Sequence, residues 1–545
     1  MFVAIFICIF LLHLPLLQLP YFWDEAGYYV PAARDILLHG SLIPQSTISN
    51  AHPPLVMIWL AAWWKVAGYA PFVTRSAMLL LAAFSLLGVF RLAERVANPS
   101  IAIASTVCTA VYSVFFAQSS MALLDLTSAG FIFWGLEAYF AGRMPLAALW
   151  FAIAGLTKET AIIAPISLAA WELAGLVLHR TLVRSIWPEE MTVGRENRAH
   201  ASARIGWLIV SVLPLMSWYG YHYSRTGYVF GNPEFFRYNV SSTLNFLRIC
   251  LALILRVWQV VGYLHLWALT VTTAFAILIL QPKQHNGIGR PRIGIPEQMV
   301  FYVVIAAYVI AMALIGGAVL ARYMLPSTPL VIILCVSTLW RRMPYWGVAI
   351  ACIALIFVLG WFWNPPYGFS PEDNLAYRDY VKLHEDAEQF LEARYPMARV
   401  LTAWPASDEV TRPWLGYITR PMQTLRIEDF SLDSMLAAAD VQSKYDVALI
   451  FSTKYEPGPA FWDRWQRFRQ LRKKWKTQFF GYHYDLPPAV VARLLGGRVV
   501  FSEERQEQWI AVIQIERVEQ ARRGLSEGNP SELAKGRDPL TVSHY

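Results

Sequence analysis

Tyr21-Phe22-Trp23-Asp24-Glu25-Ala26-Gly27-Tyr28-Tyr29 sets two adjacent carboxylates among aromatic residues, directly after the first long apolar run, Met1 to Pro20. At about 1.5 Å of rise per residue that run reaches across roughly 30 Å of hydrocarbon. It has neither a basic start nor a small-residue cleavage site, so it reads as a retained helix and not as a signal peptide. An acidic pair at the end of a span has two readings. It starts a surface helix, where negative charge is favourable by about 0.3–1 kcal/mol, or it supplies the acid of a reaction site. Four later polar islands, around His52, Asp125, Lys158 and Arg322, fall on the same side of the membrane in the topology below, and they favour the second reading.

The composition sets the class. The chain has 545 residues, 56% hydrophobic and only 15% charged, which is more apolar than a soluble protein of this size requires. The pattern predicts a polytopic membrane protein. The net charge of +8 is not read as a nucleic-acid footprint, because many of the basic residues sit in short loops between apolar runs, where the positive-inside rule places them. Cys8, Cys108, Cys250, Cys335 and Cys352 all lie in apolar runs without paired spacing, which argues against disulfides and against a zinc site.

After the acidic pair, Asp24 to His39 reads as an amphipathic interfacial helix closed by Gly40. Ala51-His52-Pro53-Pro54-Leu55 opens another apolar, aromatic stretch to Lys65, with proline tolerated in the first turn. Spans are expected at 72–92, 100–118, 121–140, 144–157, 160–178, 205–223, 258–280, 298–318, 324–340 and 344–363, giving about eleven with the first run. A charge at mid-membrane costs about 2.5–3.5 kcal/mol, so Asp125 faces a protein cavity or the interface, unless it merely starts its helix. Lys158 and Glu159 make either a local surface pair or part of a site, and His52 either a loop histidine or a proton-transfer group. Arg322 either snorkels to headgroups or holds an anion with its planar fork. Arg248 and Arg256 suggest an interfacial helix ahead of the span at 258. The stretch His179 to Arg204 is basic, and Gly287-Ile288-Gly289-Arg290-Pro291 reads as a cytoplasmic hairpin, since no strand precedes it and it holds a proline.

The membrane region thus runs over 1–363. Residues 364–519 have the composition of a soluble α/β domain, opening on an amphipathic helix in which Tyr377, Val381, His384 and Phe390 share a face. Strand-like runs follow at Val400–Trp404, Asp446–Ser452 and Trp509–Ile515, with no nucleophile motif, phosphate loop or metal signature between them. Residues 520–545 are polar and expected to be disordered.

The ordered set Asp24-Glu25, His52-Pro53-Pro54-Leu55, Arg75, Asp125, Gly155-Leu156-Thr157-Lys158 and Arg322-Tyr323 resembles the protein O-mannosyltransferase and aminoarabinose transferase group of GT-C integral-membrane glycosyltransferases. The likeness covers roughly residues 1 to 340, and extends to the C-terminal domain only in its placement. It implies a polyprenyl-phosphate sugar donor, a catalytic carboxylate in the first outer loop and inversion at the anomeric carbon. The motif matches put Asp24 in that carboxylate's place and Asp125 as the second outer-loop acid. Aminoarabinose transferases carry a lysine before the two prolines, where this chain has His52, as in the mannosyltransferase pattern.

The residues suit such chemistry. Glycosyl transfer needs a base for the acceptor hydroxyl, here Asp24, and cations for the departing lipid phosphate, here Arg322, Lys158, His52 and Arg75. Glu25 or Asp125 either orients Asp24 or shares a divalent cation with it, hard cations taking oxygen ligands; both stay open. The acceptor is a lipid, glycan or protein in the cell envelope, membrane lipids are the other partners, and nucleic acid is not one. A transporter or flippase is the alternative, but its charges line a path near mid-membrane and are not gathered on one side. The outward placement of residues 24, 52, 125, 158, 322 and the C-terminal domain predicts a labelling pattern. With the native cysteines replaced, an impermeant thiol reagent on intact cells should modify Ser370→Cys and spare Arg143→Cys; the opposite pattern inverts the topology.

Overall fold

The computed structural model describes residues 1–178, 194–279, 289–455, 457 and 464–516. The basic stretch over 179–193, Gly287 and Ile288 of the expected hairpin, and the tail from 517 lie outside the described residues. The chain divides into two compact units. The first holds Met1–Lys382, Lys454–Tyr482 and Arg505–Gln508, and the second Leu383–Thr453, His483–Glu504 and Trp509–Tyr545. Residues 364–382 therefore pack with the helical unit, beyond the expected domain start.

The first unit is helical. Its elements begin with α1 (Phe2–His13), α2 (Val30–His39), α3 (Leu55–Ala67), α4 (Pro71–Val96), α5 (Pro99–Val111), α6 (Ser113–Gln118), α7 (Asp125–Phe140), α8 (Met144–Thr157) and α9 (Ile163–Leu178). They continue with α10 (Gly194–Val210), α11 (Leu213–Thr226), α12 (Pro233–Asn239), α13 (Phe246–Val261), α14 (Leu266–Leu278), α15 (Ile295–Leu314), α16 (Thr328–Arg342) and α17 (Trp346–Leu359). Among the described residues, five stretches are long and apolar enough to cross a membrane: Pro71–Val96, Glu159–Val177, His200–Thr226, Phe246–Leu278 and Ile295–Leu314. This is an integral membrane protein.

Other expected spans form shorter apolar helices, among them Phe2–Leu16, Pro99–Val111 and Trp346–Leu359, and several runs are interrupted where sequence periodicity alone gives no sign. The run 100–118 turns at Tyr112, whose backbone is extended. The predicted start of a span at 258 is replaced by a continuous α13 and a break after it, where Leu264 and His265 take positive φ. α15 stops at Leu314, short of the expected 318, and Gly316 at φ 99° turns the chain, a conformation open mainly to glycine. α4 packs on α7 and α7 on α8 through buried small residues such as Ala82, Ala83, Ala129 and Ala147, the close approach that holds helices together where hydrophobicity gives no preference.

Two polar devices fix the irregular segments. Arg75 of α4 is fully buried and holds the first loop. Its guanidinium donates to the carbonyls of Leu19 (3.2 Å), Pro20 (2.7 Å) and Ser120 (3.2 Å) and faces the Glu25 carboxylate at 3.3 and 3.4 Å. Glu25 in turn accepts from the amides of Phe22 (2.9 Å) and Ala122 (2.5 Å). The second device is on α13. Arg256 donates to the carbonyls of Met312 (3.1 Å) and Leu320 (2.7 Å), Arg248 to those of Gly316 (2.8 Å) and Gly317 (3.1 Å), and Gln259 to Val319 (2.8 Å). The arginines read as marks of an interfacial helix are thus buried and splint the loop 315–320, whose carbonyls have no helical partners.

In the second unit a five-stranded sheet has the order β2-β1-β3-β5-β4, with β1 (Arg399–Ala403), β2 (Gln423–Ile427), β3 (Val447–Phe451), β4 (Gly497–Arg505) and β5 (Gln508–Ile515). β1 pairs in parallel with β2 and β3, while β3 and β5 are antiparallel. The three expected strands are there. The two that the sequence did not reveal are the edges, half exposed; β2 has no apolar run, and that of β4 is only Val499-Val500-Phe501. α18 (Ala376–Arg394) precedes β1, with Tyr377, Val381 and His384 buried as expected.

The pairing of Glu25 with Arg75 predicts a stability effect. Glu25→Ala leaves a buried guanidinium without its counter-charge, a loss of about 3–5 kcal/mol, seen as a lower unfolding temperature of the detergent-purified protein. An unchanged midpoint would remove Glu25 from this role.

Candidate active site

Asp24 does not cap a helix. It precedes a π-helical turn over Glu25–Tyr29 that leads into α2, and its carboxylate makes no bond to the following amides. Trp23, just before it, takes φ 43°, a strained backbone for a bulky side chain, stabilised where Phe22 and Trp23 pack against Tyr380. These two irregularities separate neighbouring acids: Glu25 goes into the Arg75 lock, and Asp24 goes to Arg322, with Nη2 to Oδ2 at 2.5 Å.

Arg322 is the centre of the cluster. It sits on a short 3₁₀ turn, Ala321–Met324, between α15 and α16, with its side chain almost entirely buried. Three carboxylates converge on it: Asp24, Glu372 at 2.6 Å from Nη1, and Asp125 at 3.4 Å from Nε. Lys158, in extended backbone after α8, binds the other oxygen of Asp125 and lies 4.2 Å from the centre of the Tyr323 ring. Burial opposes the charge on Arg322, but Glu372, Asp24, Tyr323 and Asp125 together hold its pKa well above the ordinary range.

Glu372 and its neighbour Asp373 belong to this cluster and were missed by the sequence reading, since they follow the last apolar run in a segment that looks soluble. Burial pushes the Glu372 carboxyl up to about 8 despite Arg322, and the Asp373 carboxyl up to about 7. The Gln118 amide donates to the Glu372 carbonyl at 3.1 Å, and the Tyr263 hydroxyl to Asp373 at 2.6 Å. With Glu372 protonated, Arg322 and Lys158 balance Asp24 and Asp125, which is the charge state a buried cluster favours.

The other expected residues are placed as follows. His52 lies at the flank, its Nδ1 3.0 Å from Glu159 and its ring against Tyr28 and Tyr29. The local Lys158–Glu159 pair does not form, because Lys158 turns to Asp125 and Glu159 to His52. Arg75, expected to meet the donor phosphate, is instead enclosed with Glu25 and backbone carbonyls. Glu25 is likewise not placed to share a cation with Asp24, and the remaining pair, Asp24 and Asp125, faces Arg322.

No protein-family model and no curated protein sequence matches the chain. Comparison with solved structures does find relatives in shape. ArnT from Cupriavidus metallidurans, solved bound to undecaprenyl phosphate, matches over 94% of this chain and 97% of its own, with a TM-score of 0.53 and 13% identity. Its apo state gives 0.51 at the same coverage. The oligosaccharyltransferase of Archaeoglobus fulgidus matches over 83% of this chain and 69% of its own, at 11% identity and a TM-score of 0.43. The first two likenesses show that the chain shares its fold with ArnT.

Proposed function

We propose that the protein transfers a sugar from a polyprenyl-phosphate carrier to an acceptor hydroxyl at the outer face of the membrane, with inversion, Asp24 acting as base and Arg322 and Lys158 receiving the phosphate. One observation carries this reading. Of the three carboxylates on Arg322, Asp24 is 29% exposed, whereas Asp125 and Glu372 are each 4% exposed, so Asp24 alone of the three is open to an acceptor. The fold shared with a protein solved on undecaprenyl phosphate supports the choice of carrier.

The ion pair explains how an acid so close to a guanidinium serves as a base. In the structure an oxygen of Asp24 is engaged by the Arg322 guanidinium. A donor phosphate competes for Arg322, and the displaced Asp24 oxygen then takes the proton as the acceptor oxygen bonds to the anomeric carbon. The bond from that carbon to the phosphate oxygen breaks, and its electron pair leaves with the lipid phosphate, facing Arg322 and Lys158.

Asp24→Asn keeps the size of the side chain but removes the base. A loss of at least about a hundredfold in turnover is expected with lipid-phosphate sugars at saturation, at wild-type unfolding temperature. Turnover above about a tenth of wild type would move the base to another group. Activity with a nucleotide sugar in lipid-free detergent would reject the donor class.

The raised pKa of Glu372 predicts a pH dependence of binding. The group holds its proton until the pH passes about 8, so raising the pH adds negative charge beside Arg322 and weakens the binding of an anion. Undecaprenyl phosphate is a suitable probe, since a phosphate monoester completes its second ionisation near pH 6. Its Kd should rise about tenfold or more between neutral and alkaline pH in the wild type. In Glu372→Gln the rise should be flattened. An equal rise in both proteins would exclude Glu372 as the titrating group.

A further inference from the structure

The second unit contains a group of side chains that the proposed transfer reaction does not use. His384 and Glu388 stand four residues apart on α18, hence on one helical face, and Glu409 ends α19 (Ala406–Glu409), the short helix that follows β1. All three are buried to 1% exposure or less. His384 Nδ1 is 2.7 Å from Glu409 Oε2 and 3.7 Å from Glu388 Oε1, and one ligand atom from each residue lies within 4.8 Å of the others. Neither oxygen of Glu388 receives a hydrogen bond, nor does Oε1 of Glu409. Two buried carboxylates beside one imidazole leave an excess of negative charge in a region walled by the Phe451 ring, 4.5 Å from that of His384. Such an excess is costly without a counter-charge.

We propose that His384, Glu388 and Glu409 bind a divalent first-row metal ion, zinc in the first instance, which ties α18 to α19. One imidazole and two carboxylates form an accepted ligand set for zinc. Ligand bonds of about 2.0–2.1 Å in a tetrahedron set ligand atoms about 3.3 Å apart, between the two distances measured from His384 Nδ1. Glu388, whose oxygens face no donor group and whose hydrogen bond to Glu409 needs a proton that the metal would replace, completes the four-coordinate shell by binding through both. Because the cluster is closed to solvent, the role is structural, and the site is separate in the sequence from the residues gathered on Arg322. The competing occupant is a proton, since burial and the neighbouring Glu409 push the Glu388 carboxyl well above its ordinary range.

The full chain, purified without chelators and without a metal-affinity tag, should carry about one equivalent of zinc by mass spectrometry of the elements. Glu388→Gln should lose at least nine-tenths of it, while Asp24→Asn retains it. On the wild-type protein, dialysis against a strong chelator should lower the unfolding temperature and added zinc should restore it, a readout that does not require any variant to fold. Cobalt in place of zinc should give visible absorption bands of a low-coordinate site. The proposal is overturned if wild-type protein stays metal-free after incubation with zinc and its unfolding temperature responds to neither chelator nor zinc, for then the proton is the occupant. It is equally overturned if folded Glu388→Gln keeps the full zinc content.

Discussion

Arg322 is the group on which the candidate site depends. Its guanidinium draws together carboxylates from three separate parts of the chain: Asp24 after the first helix, Asp125 at the start of α7, and Glu372 beyond the last apolar helix. A buried cation is costly by itself, and each carboxylate would be costly without it. The contacts are therefore interdependent, and removing one member leaves the others with unbalanced charge. Lys158 adds the second positive charge through Asp125, which makes that acid a bridge between the cations. A site of this kind stays assembled without substrate and offers its guanidinium to an anion able to displace a carboxylate.

The position of Arg322 is itself imposed from behind. The loop between α15 and its 3₁₀ turn exposes a row of carbonyls that no helix satisfies, and Arg248, Arg256 and Gln259 of α13 take them up. Gly316 makes the turn possible and the arginines make it rigid. The Arg75–Glu25 lock does the same for the first loop. Both devices use buried guanidinium groups to satisfy irregular backbone, and both leave Asp24 and Arg322 as the groups that meet.

Much of this was legible from charges in apolar surroundings. Asp24, Asp125, Lys158 and Arg322 stand out because a charge at the end of a span needs a partner, and the structure brings these four together. The division of labour between Asp24 and Glu25 was not legible. It turns on the strained backbone at Trp23 and the π-helical turn after it, neither of which leaves a periodic trace. Arg75, Arg248 and Arg256 were misjudged for a related reason: their partners are carbonyl groups, which every residue has and no sequence marks. Glu372 lay hidden in a segment whose polarity suits a soluble domain. The helix spacing of His384 and Glu388 was visible, but Glu409 joins them only across β1, so no local signature existed.

The relation between Asp24 and Arg322 bears on how such a site controls its own chemistry. A carboxylate without a partner at an exposed position would be open to an acceptor hydroxyl whether or not a donor were present. Held by Arg322, Asp24 has an oxygen engaged, and on the proposed reading the energy that releases it comes from an incoming anion. On that reading the same guanidinium restrains the base before the donor arrives and stabilises the leaving phosphate afterwards. Asp125, far less exposed and tied to both Lys158 and Arg322, keeps the two cations in register while Asp24 changes partner. The exposed acid is thereby the movable one and the buried acid the fixed one, a difference set by burial and not by residue type.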